Sequence, residues 1–134
     1  MTQDSIEFDV AGELPPLKGE AKSLLSVGHG QAVRVHALLL ASHTAKQRDG
    51  FPGFGARRIG MDVTVRSPSG AVGDATNSLG GIGDTLQQRR RGIDLSHLGE
   101  LAGGFLYEDD TQIREIHYRE ETGSAGYTAR FWAL

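Results

Sequence analysis

The chain has 134 residues, no cysteine and a formal net charge of −3 at pH 7. This length supports one hydrophobic core and is too short for two comfortable domains, so we predict a single domain over residues 1–134. The lack of cysteine excludes disulfides and thiolate metal sites, and it fits a reducing cytoplasm. Because the net charge is negative, the chain as a whole does not attract nucleic acid. Any nucleic-acid binding would depend on local basic patches.

Hydropathy predicts no membrane segment. The longest uninterrupted apolar run is Ala37–Ala41, and the opening residues carry neither a basic start nor an apolar stretch. A membrane-spanning helix needs roughly 20 apolar residues, and a signal peptide needs an apolar centre. We therefore expect no signal peptide, no membrane partner and a cytoplasmic location.

Periodicity defines the first half of the chain. Residues 6–10 alternate apolar and acidic side chains, which predicts a strand with one buried face. Gln31–Ala45 is mostly apolar; alternation from Val33 to Leu39 would also fit a strand, but the length favours a helix, which we predict. Lys46–Arg58 follows as a basic, glycine-rich loop. Residues 59–66 alternate again and predict a second strand.

The segment Val72–Leu86 is predicted to be a helix with one oxygen-rich face. At about 100° per residue, its polar side chains fall on one side of the helix and its large apolar side chains on the other. The first face holds Asp74, Asn77, Gly81 and Asp84, and the second holds Leu79, Ile82 and Leu86.

The C-terminal third is predicted to be β-rich. Gln87–Glu100 is a polar segment that leaves the regular pattern. A hairpin is then predicted around a turn of small residues, with strands Thr111–Glu120 and Tyr127–Leu134. The two-residue alternation breaks after Ile113, which indicates a β-bulge. The predicted element order is therefore β-α-β-α-β-β.

Acidic residues occur in two places that could face each other, the oxygen-rich helix and the pair Asp109–Asp110. Carboxylates grouped in this way often hold hard divalent cations. The structural alternative is that Asp74 caps the helix N-terminus and that Asp109–Asp110 form a solvated turn.

The segments GDATN and YEDDTQI, with the proline-containing opening FDVAGELPPLKG, resemble the RusA family of Holliday-junction resolvases and related phage-type endodeoxyribonucleases. The resemblance spans nearly the whole chain and implies a small α/β (α+β) domain with a mixed sheet packed by helices. It also implies a homodimer and magnesium- or manganese-dependent, structure-selective cleavage of branched DNA. The positions that match the family in order are Asp74, Asn77, Asp84, Asp109, Asp110 and Gln112.

The resemblance also assigns roles to the acidic residues. It implies that Asp74, Asp109 and Asp110 are catalytic, with Asp74 and Asp110 as metal ligands. Supporting positions are Asn77, Asp84 and Thr76. Thr76 stands where the family has a metal-binding aspartate, and Gly80 stands where it has a lysine. Because neither supplies the family's charge, we expect weakened metal binding and slow or absent cleavage.

Basic residues provide candidate contacts to nucleic acid. The candidates are Arg89, Arg90, Arg91, Lys46, Arg57 and Arg58. Phe51 and Phe54 could stack on unpaired bases beside them. Equally, the arginines could form a solvated helix end and the phenylalanines could hold the loop on the core.

Three functions are consistent with this pattern. The first is a magnesium-dependent endodeoxyribonuclease acting on branched DNA. The second is a catalytically inactive RusA-like protein that binds nucleic acid or a protein partner. The third is an interaction module that shares only the fold. No P-loop and no dinucleotide-binding fingerprint occurs in the sequence.

Overall fold

The computed structural model describes residues 4–18, 24–26, 28–70, 74–88 and 95–134. Its long elements follow the predicted β-α-β-α-β-β order. They are β1 (Ser5–Ala11), α1 (Ala32–Asp49), β2 (Ile59–Ser67), α2 (Ala75–Leu86), β3 (Ile113–Thr122) and β4 (Gly126–Ala133). Two 3-10 segments, Ser96–Gly104 and Asp110–Gln112, precede β3.

The strands form one mixed sheet in the order β1-β4-β2-β3, which confirms the predicted α+β class. Strand β4 is antiparallel to β1 and β2, and β3 is parallel to β2. Strands β1 and β3 are thus the outermost strands of the sheet, and the pair Asp109–Asp110 lies in the chain shortly before β3.

The predicted hairpin of β3 and β4 is wrong, because β2 lies between the two strands. Burial explains the arrangement. Half of the β4 residues are buried and one is exposed, whereas eight of the ten β3 residues are exposed, so β4 occupies the centre and β3 the edge. The short connection crosses the end of β2, where the Gly123 amide donates to the Ser67 carbonyl at 3.2 Å.

The predicted bulge is confirmed at the start of β3. Ile59 lies opposite Ile113, but Gly60 lies opposite Glu115, so Arg114 is the extra residue. The bulge shifts the register and brings Ile116 beside Met61.

Helix α1 is longer than predicted and ends at Gly50, whose φ of 63° is favourable for glycine. Lys46 therefore lies in the last turn of the helix rather than in a loop. Helices and sheet enclose one core. Its buried side chains include Ile6, Phe8, Val10, Leu38, Leu39, Met61, Val63, Val65, Ile82, Leu86, Tyr127 and Phe131.

The outward face of the sheet carries paired charges. Arg66 lies 2.6 Å from Asp9, and Arg119 lies 3.3 Å from Asp62. Each of these two arginines therefore already has a carboxylate partner on the sheet.

No helix in the described ranges is both long and apolar enough to cross a membrane.

Candidate functional site

A cavity of about 320 Å³ lies between α2 and the β2–β3 side of the sheet. It brings together Asp110, which matches the family pattern, with Thr76 and Gly80, the two positions that depart from it. The rest of its wall is glycine and apolar side chains. These residues are Met61, Leu79, Gly83, Ile113 and Ile116.

Asp74 is the N-cap of α2, as the structural alternative predicted. Its Oδ1 accepts hydrogen bonds from the Thr76 backbone N–H at 2.9 Å and from the Thr76 hydroxyl at 2.7 Å. These bonds, with a further one from the Asn77 backbone, hold the pKa of the Asp74 carboxyl below its usual range. The Thr76 hydroxyl is thus engaged with Asp74, although Thr76 also lines the cavity.

Asp110 lines the same cavity and begins a short 3-10 turn. Burial raises the pKa of its carboxyl. Lys18 opposes this rise, while Asp109 and Asp84 add to it through their negative charge. Asp109 is the N-cap of the turn and accepts from the Thr111 backbone N–H at 3.0 Å.

Gln87 connects the end of α2 to the Asp110 segment. Its Nε2 donates to Asp84 Oδ1 at 2.8 Å, and its Oε1 accepts from the Asp110 backbone N–H at 3.0 Å. A buried bond from the Tyr107 hydroxyl to the Gly83 carbonyl, at 2.8 Å, reinforces the same junction. Asp84 and Asp110 are therefore positioned by one short network.

The acidic residues separate into two groups. Asp84 is about 15 Å along the helix axis from Asp74, at 1.5 Å per residue. Asp84 shares an electrostatic environment with Asp109 and Asp110, whereas the Asp74 carboxyl is held by Thr76 at the start of α2. These contacts give no sign that Asp74 and Asp110 converge on one metal ion, as the resemblance led us to expect.

This arrangement does not fit a bound magnesium or manganese ion. Within the residues that the structure describes, no group of three or more His, Asp or Glu side chains is arranged to hold a metal. One Asp74 oxygen already accepts two hydrogen bonds from Thr76, and a lysine ammonium approaches Asp84. Magnesium is usually held by one or two carboxylates with several waters, and here the carboxylates that lie together already have an ammonium beside them.

Gln112 joins a basic loop to the acidic motif. Its Nε2 donates to the carbonyls of Gly55 and Arg57 at 2.8 and 2.7 Å. Its Oε1 accepts from the backbone N–H groups of Glu108 and Asp109 at 3.0 and 2.8 Å. The motif glutamine therefore fixes residues 55–57 against the Asp109 turn.

The predicted basic contacts have different surroundings. Arg57 and Arg58 are exposed beside β2, and Arg57 lies 3.6 Å from Asp4 and over the Phe54 ring. Lys46 donates to the Phe105 carbonyl at 2.7 Å, and burial lowers the pKa of its ammonium. Arg89–Arg91 lie outside the described residues.

The stacking role considered for two phenylalanines is wrong. Phe51 and Phe54 are 3% and 2% exposed, and their rings pack edge to face with centroids 4.8 Å apart. Both side chains hold the loop on the core, so neither offers a free ring face to a base.

Sequence reasoning missed Lys18 and Gln87. Both act across long separations along the chain, Lys18 on Asp84 and Gln87 on Asp110. Nothing in the residues around Gln87 indicates that its side chain will bond to the distant Asp110 backbone. The pair Gly80–Gly81 was the available signal for Lys18, since adjacent glycines in a helix often permit a close backbone contact.

No family model matches the chain, and no curated protein sequence matches it significantly. The RusA resemblance therefore rests on the motif residues of the sequence alone.

Proposed function

We propose that this chain is a RusA-like protein that binds branched DNA and cleaves it slowly or not at all. The observation that carries the proposal is the link made by Gln112 between the acidic motif and the loop of Arg57 and Arg58. That link holds the Arg57 backbone beside the motif, and the side chains of Arg57 and Arg58 are exposed there. Arginines held in this way contact phosphates in many DNA-binding proteins.

The chemistry of the cavity supports binding over cleavage. Phosphodiester hydrolysis requires neutralising the charge that builds on the phosphoryl group, usually with metal ions or cationic side chains. Thr76 brings no charge and Gly80 no cation to the cavity wall. Asp110 alone among the lining side chains is ionisable.

A titration of labelled four-way junction with protein, in EDTA and at low salt, tests the proposal. The double variant Arg57→Ala/Arg58→Ala should bind more weakly, and the slope of log K against log salt should decrease by about 0.9 for each lost phosphate contact. Arg130→Ala is the matched control because Arg130 is exposed on the outward sheet face. Equal losses in both variants would show that the loop has no specific role.

Cleavage of branched DNA is the second candidate, because Thr76 and Gly80, the two positions that lack the family's charged residues, line one cavity with Asp110. The change Thr76→Asp/Gly80→Lys restores one carboxylate and one cation at that wall. We expect it to increase cleavage of four-way and flap DNA, and Asp110→Asn should abolish the gain. If neither wild type nor restored variant binds or cuts branched DNA, an interaction module becomes the better account.

We also propose that the protein is a cytoplasmic homodimer. Two symmetric sites suit the two equivalent strands of a junction, and twofold dimers are the commonest oligomers. Light scattering at micromolar concentration tests the assembly: a monomer mass would contradict the dimer and symmetric engagement of a junction.

A further inference from the structure

Lys18 places a positive charge beside the acidic end of α2. Its Nζ lies 3.7 Å from Asp84 Oδ1, and its side chain is 51% exposed. The same ammonium counteracts the effect of burial on the Asp110 carboxyl. One lysine thus interacts electrostatically with two carboxylates that Gln87 holds together.

The backbone of Lys18 is fixed against α2. Its N–H donates to the Asn77 carbonyl at 3.0 Å. One residue earlier, Leu17 donates to Gln31 Oε1 at 2.6 Å and accepts from Gln31 Nε2 at 2.7 Å. The segment that carries Lys18 is therefore bonded to both helices. The position of Lys18 near Asp84 is set by this backbone as well as by its flexible side chain.

Two glycines of α2 make room for this segment. A Cβ on Gly81 would lie 1.7 Å from the Pro16 carbonyl oxygen, so only glycine permits the contact. A Cβ on Gly80 would lie 3.4 Å from the Lys18 Cβ and 3.6 Å from its Cδ. The aliphatic stem of Lys18 consequently lies on the helix surface that Gly80 leaves bare.

We infer that Lys18 is the resident counter-ion of Asp84 and Asp110, and that it takes the charge-neutralising place a divalent cation would otherwise have, so the fold requires no metal. An ammonium is a compact point charge with three donors, and it suits a site that offers few carboxylates. The inference depends on the carboxylates and Lys18 alone and is independent of DNA binding.

Thermal unfolding with and without millimolar Mg²⁺ or Mn²⁺ tests the inference. The wild type should show no metal-dependent shift. Lys18→Met keeps the aliphatic stem but removes the charge. Adding metal should therefore raise the melting temperature of this variant by roughly 3–5 °C. Lys18→Arg should behave as the wild type, and Asp110→Asn should remove the gain from the Lys18→Met protein.

A metal-dependent shift in the wild type, or none in Lys18→Met, would overturn the inference. If Lys18→Met does not fold, paramagnetic broadening by Mn²⁺ in the wild type decides the question. The amide signals of Asp84 and Asp110 should stay sharp, and selective broadening of them would show that metal enters despite Lys18. Neither measurement uses DNA, so failure of this inference leaves the proposed function untouched.

Discussion

The Gln87 side-chain oxygen accepts a hydrogen bond from the Asp110 backbone N–H at 3.0 Å, which ties the end of α2 to the acidic turn. Its amide nitrogen simultaneously donates to Asp84 at 2.8 Å. Gln87→Ala leaves both partners without these bonds, so we expect the free energy of unfolding to fall by about 1–3 kcal/mol. Urea denaturation measures the change. Gln88→Ala, at the exposed neighbouring position, should cost less than about 0.5 kcal/mol, and equal losses would contradict this role.

Gly81 and Gly83 should respond differently to the same substitution. The Cβ of Gly81→Ala would meet the Pro16 carbonyl oxygen at 1.7 Å, which forces the Pro16 segment away from α2. We expect a loss of about 1–3 kcal/mol, as for other overpacked sites. In Gly83→Ala the nearest atoms are 3.6 and 3.7 Å away, which is ordinary contact, so the higher helix propensity of alanine should make the change neutral or stabilising. Chemical denaturation of the two variants checks the prediction, and a similar loss in both would refute the close contact.

Asp110 should make stability fall as pH rises. Burial raises its pKa above the ordinary 3.8, so between these two values the folded state binds more protons than the unfolded state. The free energy of unfolding therefore decreases with increasing pH across that window. Asp110→Asn should remove this component, which makes the advantage of wild type over variant greater at low pH than at neutral pH. Denaturation curves at several pH values measure it, and an advantage that grows with pH would contradict the burial of Asp110.

Asp74 should have the opposite effect, a contribution to the free energy of unfolding that increases with pH. Hydrogen bonds from Thr76 lower its pKa below 3.8, so its contribution is present above that value and is lost as pH falls through the folded-state pKa. Thr76→Val removes the hydroxyl bond and should move the Asp74 pKa back toward its ordinary value. Carbon-13 NMR titration of the Asp74 carboxyl reads this directly. An unchanged titration would mean that the hydroxyl does not hold the carboxyl.

The single tryptophan reports on the sheet. The indole of Trp132 covers Gly60 so closely that an added Cβ would lie 2.3 Å from two ring atoms, and Arg130 lies over the ring at 5.1 Å. Gly60→Ala should displace the indole, shift its fluorescence maximum and lower stability by about 1–3 kcal/mol. Gly123→Ala, with neighbours no closer than 3.9 Å, is the control for fluorescence. An unshifted spectrum in Gly60→Ala would show that Trp132 does not depend on the bare backbone.

Local patterns predicted the elements well because each depends on nearby residues. Alternation identified β1 and β2, and the phase break after Ile113 predicted a bulge, which the structure has at Arg114. Strand order was beyond such patterns. A turn signal between β3 and β4 is equally compatible with a hairpin and with a connection that crosses β2, and only the contrast in burial between the strands decides.

Of the residues singled out in the sequence, Thr76, Gly80 and Asp110 line one cavity, and their roles stay predictions. Helical periodicity placed Asp74 and Asp84 on one face, but a ten-residue separation at 1.5 Å per residue keeps them about 15 Å apart along the helix axis. Lys18 and Gln87 enter the site through contacts between distant segments, which no local motif predicts.

The most direct test of the proposed function compares a labelled four-way junction with a linear duplex of equal length and base composition, in EDTA and at low salt. The account predicts that the wild type binds the junction at least about tenfold more tightly, a difference of about 1.4 kcal/mol. Equal affinity for the two DNAs, or no binding to either, would contradict it.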